Sequence, residues 1–297
     1  MGLVVVPKQT IAIVGAGKVG SALALLLRQQ GYPLTGLAIH KNAADERLVK
    51  DLGAPVTRRP EEITLKADVV FITTPDRLIL PVAAEIGARG GFRAGQTVLH
   101  TSGAQPADDL RAAREAGAFV ASMHPLQSFP HVDMAIAHLP GSYFALEGDP
   151  PAVRVAEELI GALGGRCMAL ASQDKPLYHA AACIASNYLV SLMHLATGLY
   201  QRFGLSRQEA FQALLPLVNG TINNLTQLTP AEALTGPIAR GDAPTVESHL
   251  TALAELGATE RELYRVLARY TVQVALEKGS INQTQAATLE DLCKGGL

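Results

Sequence analysis

Lys175, Tyr178 and His179, followed closely by Ser186 and Asn187, put five polar side chains into one otherwise apolar stretch that reads as a long helix. Four residues advance an α-helix by about 40° beyond a full turn, so Lys175, His179 and Ser186 fall within a narrow arc, with Asn187 further round. Histidine titrates near neutrality and burial brings lysine toward it. Either His179 or Lys175 therefore suits proton exchange with a substrate oxygen or nitrogen. A histidine in a helical bundle also serves as a hydrogen-bonded core residue, and His179 alone does not separate the two roles. Ser102 and His124 each follow a short apolar run of strand type, although His124 also reads as a plain loop histidine before Pro125. The stretch Leu234–Asp242 (LTGPIARGD) adds Arg240, which suits bidentate capture of a carboxylate or pairing with Asp242 to fix a turn.

Such groups need a scaffold, and the N-terminus supplies one. Ile11-Ala-Ile-Val14 runs into Gly15-Ala16-Gly17-Lys18-Val19-Gly20, after which Val19, Ala22, Leu23, Leu26 and Leu27 recur at helical spacing. Strand, glycine turn and helix in that order form a dinucleotide-binding unit. Gly15 permits the turn, Gly17 lets backbone approach a pyrophosphate, and Gly20 lets the helix pack on the strand. The free N–H groups of Gly15–Gly20 at the helix start favour phosphate. The second strand reads 34–39 and ends at His40-Lys41-Asn42, where an NAD-preferring site would carry an acid for the ribose hydroxyls. Without that acid, and with Lys41 placed to neutralise a 2′-phosphate, the pattern favours NADP, unless Lys41 is only a solvated lysine. Metal ligation is not expected, because Cys167, Cys183 and Cys293 lack metal-type spacing.

Strand and helix patterns then alternate, with strands at 67–73, 97–100, 119–123, 142–146 and 166–170 and helices at 43–52, 78–88, 108–116 and 151–163. The loop Thr73-Thr74-Pro75 follows a strand and should border the cofactor, because ligands of doubly wound sheets lie beyond the carboxyl ends of the strands. After Ser172 only helical patterns remain. Ser172 is placed to cap the long helix and Gly204 to end it, and Ser206/Glu209 and Thr259/Glu262 fit capping boxes. The reading is a doubly wound α/β domain over 1–171 and an all-α domain over 172–297.

The chain has 297 residues, 48% hydrophobic, with a formal net charge of −2 and no long basic run, so neither nucleic acid nor an anionic membrane is an expected partner. Residues 180–200 are apolar over a bilayer's length, but Ser186, Asn187, Ser191 and His194 interrupt them, which favours the buried centre of a fold or of a dimer. Residues 1–10 lack a signal-peptide pattern, and a cytoplasmic location is expected.

GAGKVG, FITTPD, HTSGA, SMHPLQSF, YHAAACIASN and LTGPIARGD, in this order, resemble a bacterial Rossmann-like oxidoreductase family whose helical C-terminal half is a domain of unknown function. That family is related to 6-phosphogluconate and 3-hydroxyacid dehydrogenases, ketopantoate reductase, pyrroline-5-carboxylate reductase and prephenate dehydrogenase. The resemblance implies a second domain that mediates homodimerisation and an active site between the domains. His124-Pro125 resembles the His-Pro of prephenate dehydrogenases, whose histidine contacts the reacting hydroxyl, although Ser186-Asn187 stands where those enzymes have Ser-His. Lys175 and His179 resemble the Lys-x-x-x-Asn pair of hydroxyacid dehydrogenases, with histidine replacing asparagine. Asn187 then contacts substrate or the nicotinamide amide.

Together these readings predict an NADP-dependent oxidoreductase for a small anionic oxo acid, with ketopantoate-type reduction leading. His124, Lys175, His179 and Asn187 surround the reacting carbon, and Ser102, Ser186 and Arg240 orient the substrate. Imine reduction, an arogenate- or prephenate-like dehydrogenation, and a non-catalytic NADP-binding redox sensor are the alternatives.

Overall fold

A computed structural model describes residues 7–39 and 52–294. His40, Lys41 and Asn42, expected to select NADP, and all but the last residue of the helix expected over 43–52, lie outside the described residues. The chain forms two compact units, 1–188 and 189–297.

The first unit is built on an eight-stranded sheet of order β3-β2-β1-β4-β5-β6-β7-β8. Its strands are β1 (Ile11–Val14), β2 (Leu34–Ala38), β3 (Val56–Thr57), β4 (Val69–Ile72), β5 (Thr97–His100), β6 (Phe119–Pro125), β7 (Tyr143–Gly148) and β8 (Arg166–Ala169). Strands β1 to β6 are parallel; β7 pairs antiparallel with β6 and parallel with β8. Alternation of side chains across a strand explains why β1 and β4, buried on both faces, are apolar throughout. Ile11, Ile13, Val69, Phe71 and Leu99 join one buried cluster, while Ala12, Val14, Val70, Ile72 and Val98 join the other. Helices α1 (Lys18–Gln29) and α2 (Pro150–Ala162) cover the first face; the helix Asp76–Ala88 covers the second.

The order reverses between β1 and β4, whose carboxyl ends meet the glycine turn. The carboxyl ends of β5 and β6, where the chemistry-bearing loops begin, follow in the same sheet.

From Ser172 to Phe203 the chain is continuously helical. It opens with a single 3₁₀ turn, Ser172–Asp174, continues as α3 (Lys175–Cys183), takes a π-helical turn at Ile184–Tyr188, and resumes as α4 (Leu189–Tyr200). Gly204 ends it in the left-handed region at φ 84°, as its position suggests. Ser172 makes no capping bond; the tighter first turn takes its place. By length and composition this helix could cross a bilayer, and only 6% of its most apolar window is buried. The burial expected for residues 180–200 is therefore not seen among the described residues.

The second unit consists of α4, α5 (Arg207–Leu225), α6 (Ala243–Ala254), α7 (Ala258–Glu277), α8 (Gln283–Cys293) and shorter turns. Ser206 and Glu209 form the expected capping box. Thr259 does not, because the chain turns at Gly257 and places Thr259 inside α7. Val246, Ala268, Val272, Leu289 and Cys293 form its core.

Candidate active site and cofactor cradle

Gly15 lies at φ +100°, in a backbone region that glycine alone enters cheaply. Its carbonyl accepts the Gly17 N–H at 2.8 Å and the Thr73 hydroxyl at 2.6 Å, so the turn is stitched to the end of β4. A Cβ on Gly20 would come within 2.3 Å of the Gly15 oxygen and of Thr73 Oγ1, whereas a Cβ on Gly17 would meet nothing within 4 Å. The two glycines thus differ in purpose: Gly20 lets the helix close on the strand and Gly17 keeps the outer face of the turn open.

Gly17 caps α1 without a side-chain bond, leaving Lys18 and Val19 in a first turn that contains no acid. Ala16 is buried beneath. Thr74, beside the turn, holds a buried Oγ1 with no hydrogen-bond partner among the described residues, and Pro75 leads into the helix Asp76–Ala88. An open glycine face, an uncapped helix start and a buried hydroxyl without a partner suit the pyrophosphate and ribose of a dinucleotide.

At the ends of β5 and β6 a second set of polar groups converges. His100 is fully buried. Its Nδ1 meets the Ser102 N–H and its Nε2 meets the Pro106 carbonyl, each at 3.1 Å. An N–H can only donate and a carbonyl only accept, so the imidazole is neutral with its proton on Nε2. Burial, reinforced by the nearby Lys175 charge, pushes its pKa down to about 4. Sequence reading passed over His100, because a strand-end histidine within an apolar run carries no local signal of this bonding.

Ser102 is buried, and its hydroxyl accepts the N–H groups of Ala104 and Gln105. Its carbonyl accepts the Ser122 hydroxyl at 3.0 Å and the Lys175 ammonium at 3.3 Å. Lys175 Nζ also donates to Ser122 Oγ at 2.7 Å and is only 2% exposed. Burial lowers its pKa, an effect that Glu147 and Asp76 partly offset. Lys175 and Ser102 therefore lie under the site, joining α3 to β6 and to the loop after β5.

The open part of the site is a cavity of about 560 Å³, walled by His124, Gln127, Tyr178, His179, Cys183, Ser186 and Asn187 among others. His124 Nδ1 and the Tyr178 hydroxyl are hydrogen-bonded at 2.7 Å, with their rings edge to face. Gly103 lies flat against the imidazole, for a Cβ there would come within 2.8 Å of it. Burial, then Lys175, then His179 push the His124 pKa down to about 4, against a small opposing effect of Asp76. Burial pushes the Tyr178 hydroxyl up to about 12. His179 lies 6.3 Å from His124, ring centre to ring centre, and its Nδ1 is 3.9 Å from the Cys183 sulfur.

Ser186 and Asn187 reach the cavity on the π-helical turn, an irregularity frequent at functional sites. Of the arc Lys175, His179 and Ser186, the last two meet at the cavity wall while Lys175 turns beneath it. Sequence spacing placed Tyr178 in the cluster without its pairing to His124, and it left out Ser122. Arg240 belongs to the second unit, where it is exposed and makes no ion pair among the described residues; Asp242 instead caps α6 through the Thr245 N–H and hydroxyl.

A doubly wound sheet with a glycine turn after its first strand and a polar cavity at its carboxyl edge defines a Rossmann-type fold. The Rossmann-like domain model matches residues 3–125, and the model of a domain of unknown function (DUF2520) matches residues 142–271. The chain thus carries a Rossmann-like domain followed by a member of that domain family. No curated protein matches it. Among solved structures, it resembles a candidate NADP oxidoreductase from Bacteroides fragilis with TM-score 0.74 and 22% identity, over 90% of this chain and 99% of that one. A protein from Thermotoga maritima matches with TM-score 0.69 and 25% identity, over 91% and 99% respectively. A reductive aminase from Aspergillus terreus in complex with NADPH and ethyl levulinate matches with TM-score 0.66 and 19% identity, over 96% and 99%.

Proposed function

We propose that this chain is an NADP-dependent oxidoreductase acting on a small anionic oxo acid, with 2-oxo acids of the ketopantoate kind as the leading substrates. The observation that carries the reading is the pairing, within one unit, of an open dinucleotide cradle at Gly15–Gly20 with the cavity walled by His124, Tyr178 and His179. Gly15, Gly17, Gly20 and the first turn of α1 hold the pyrophosphate, and Lys41 the 2′-phosphate. When bound there, NADPH supplies a hydride to the substrate carbon. The chain's own residues orient the substrate through Ser186, Asn187 and His179 and exchange one proton with it. Lys175 acts from beneath, holding the loop after β5 and the middle of β6 together through Ser102 and Ser122. A second reading, imine reduction, is supported by the likeness to the NADPH-bound reductive aminase along nearly the whole chain.

The test is consumption of NADPH and of NADH by the purified protein against ketopantoate, other 2-oxo acids and pyrroline-5-carboxylate, each with and without an added amine. Faster NADPH than NADH consumption with an oxo acid alone is the expected result. A requirement for amine would move the assignment to imine reduction, and NADPH binding without turnover on any of them would favour a redox sensor. His179→Ala is expected to lower kcat at least tenfold while leaving the NADPH dissociation constant within twofold. An equal loss of NADPH affinity would remove His179 from the substrate side of the site.

We further propose that the protein is a cytoplasmic homodimer joined through its helical half. Val190, Leu217 and Tyr270 are 68%, 68% and 72% exposed in a single copy, an apolar display that a second copy would cover. Sedimentation in detergent-free buffer at micromolar concentration should give a dimer. A monomer, or material that needs detergent to stay in solution, would overturn this assignment.

A further inference from the structure

The two groups most tightly joined at the cavity wall are ones that sequence spacing did not pair. His124 comes from the end of β6 and Tyr178 from the first turns of α3, yet His124 Nδ1 and the Tyr178 oxygen are 2.7 Å apart. Both line the cavity. Lys175 does not wall it, being enclosed and engaged by Ser122 and Ser102. His179 also walls it, but its Nδ1 faces the Cys183 sulfur at 3.9 Å.

We propose that Tyr178 is the proton donor to the substrate and that His124, carrying its proton on Nδ1, replenishes it. This rests on the oxidoreductase reading above and deepens it.

The charged and titratable neighbours support the assignment. Lys175 and His179 disfavour a positive charge on His124, and Asp76 opposes them weakly. His124 therefore stays neutral at physiological pH and serves as a proton conduit with one N–H and one bare nitrogen. Gly103 beneath the ring leaves no room for a side chain that would tilt the imidazole off Tyr178. Burial keeps the phenol protonated until substrate is present.

In the reductive direction the substrate's carbon–oxygen double bond becomes single. Its carbon takes up a hydride from a reduced nicotinamide and its oxygen takes the Tyr178 hydroxyl proton. The Tyr178 oxygen takes the proton from His124 Nδ1 while Nε2 takes one from water, whose hydroxide passes to solvent. The imidazole stays neutral as the Nε2–H tautomer and regains Nδ1–H by proton exchange with solvent before the next turnover.

The test joins a measurement on the protein without substrate to one with it. In protein carrying ¹⁵N-labelled histidine, His124 is expected as the neutral Nδ1–H tautomer at pH 7, and Tyr178→Phe should shift its nitrogen resonances. In turnover, Tyr178→Phe is expected to lower kcat by about 100-fold or more, the range set by loss of a general acid, with the NADPH dissociation constant within twofold. An Nε2–H tautomer, or Tyr178→Phe keeping more than half of the wild-type kcat, overturns the proposal and leaves the oxidoreductase reading intact. Wild-type protein that binds NADPH but turns over no substrate overturns both.

Discussion

Gly20→Ala is expected to abolish useful NADPH binding, lowering affinity at least 100-fold, and to lower the stability of the first unit as well. The added Cβ would sit 2.3 Å from the Gly15 carbonyl oxygen and from Thr73 Oγ1, and 3.2 Å from Ile13 Cγ2. Two of these contacts are with the atoms that form the 2.6 Å bond stitching the turn to β4. Neither is the far end of a flexible side chain. The helix must therefore lift from the strand or the turn must open, and overpacking of this kind costs about 1–3 kcal/mol.

Gly17→Ala is the informative contrast. It meets open space and Gly17 has an ordinary φ of −80°, so only the poorer N-cap preference of alanine opposes it, partly offset by lower unfolded-chain entropy, and stability should fall by no more than about 1 kcal/mol. Its Cβ would occupy the face that a pyrophosphate approaches, so NADPH affinity should still fall. Thermal unfolding and fluorescence titration of both variants separate the two effects. Gly20→Ala binding NADPH with wild-type affinity would show that the turn is not a cofactor cradle.

The second large effect is acid sensitivity. His100 and His124 are held in the folded state at about 4, below the ordinary histidine value of 6.5. A histidine whose pKa is lowered on folding is bound less tightly by protons in the native state than in the unfolded one. Its stabilising contribution is therefore complete above pH 6.5 and is lost as pH falls from 6.5 to 4. At 1.36 kcal/mol per pKa unit, the full loss is about 3 kcal/mol for each ring, and about 2 kcal/mol each is gone by pH 5. Together that is about 4 kcal/mol between pH 7.5 and 5, a large part of the stability of an ordinary domain.

Most of the shifted carboxylates lose their contributions below this window, while Asp109, raised by burial, opposes the loss as pH falls. Asp68 is held down chiefly by the Thr10 N–H, and Glu61 is lowered by its own backbone N–H, Arg59 and Arg89 against the effect of burial, so both lose their contributions at lower pH. Urea unfolding at pH 7.5, 6 and 5 checks the expectation. An unchanged midpoint across that range would mean that the two imidazoles are not shielded as their burial indicates.

Much of this molecule is local in origin and therefore legible from the residues. The β1–turn–α1 unit follows from an apolar run, three glycines and a helical repeat that are contiguous in the chain. The same holds for Ser206/Glu209, whose two capping bonds span three residues. Thr259 looked equally suitable and failed because Gly257 turned the backbone first, which shows that a capping pattern cannot locate its own turn. The polar helix start at residues 175–187 was also visible, together with the strand-end positions of Ser102 and His124.

What those groups do to one another was decided by tertiary contact. Lys175 meets Ser122 across 53 residues and Ser102 across 73, and His124 meets Tyr178 across 54. Helical periodicity places Lys175 and His179 in one arc, but it cannot say which of them the sheet buries. The loop after β5 and the middle of β6 enclose the ammonium and leave the imidazole facing the cavity, and the π-helical turn then sets the phase of Ser186 and Asn187. Proton affinity follows burial and the distance to other charges, quantities that exist only once β5, β6 and α3 are packed together. Residue types and spacing thus determined the glycine turn and the inventory of polar groups. Packing decided which are enclosed beneath the site and which face the cavity.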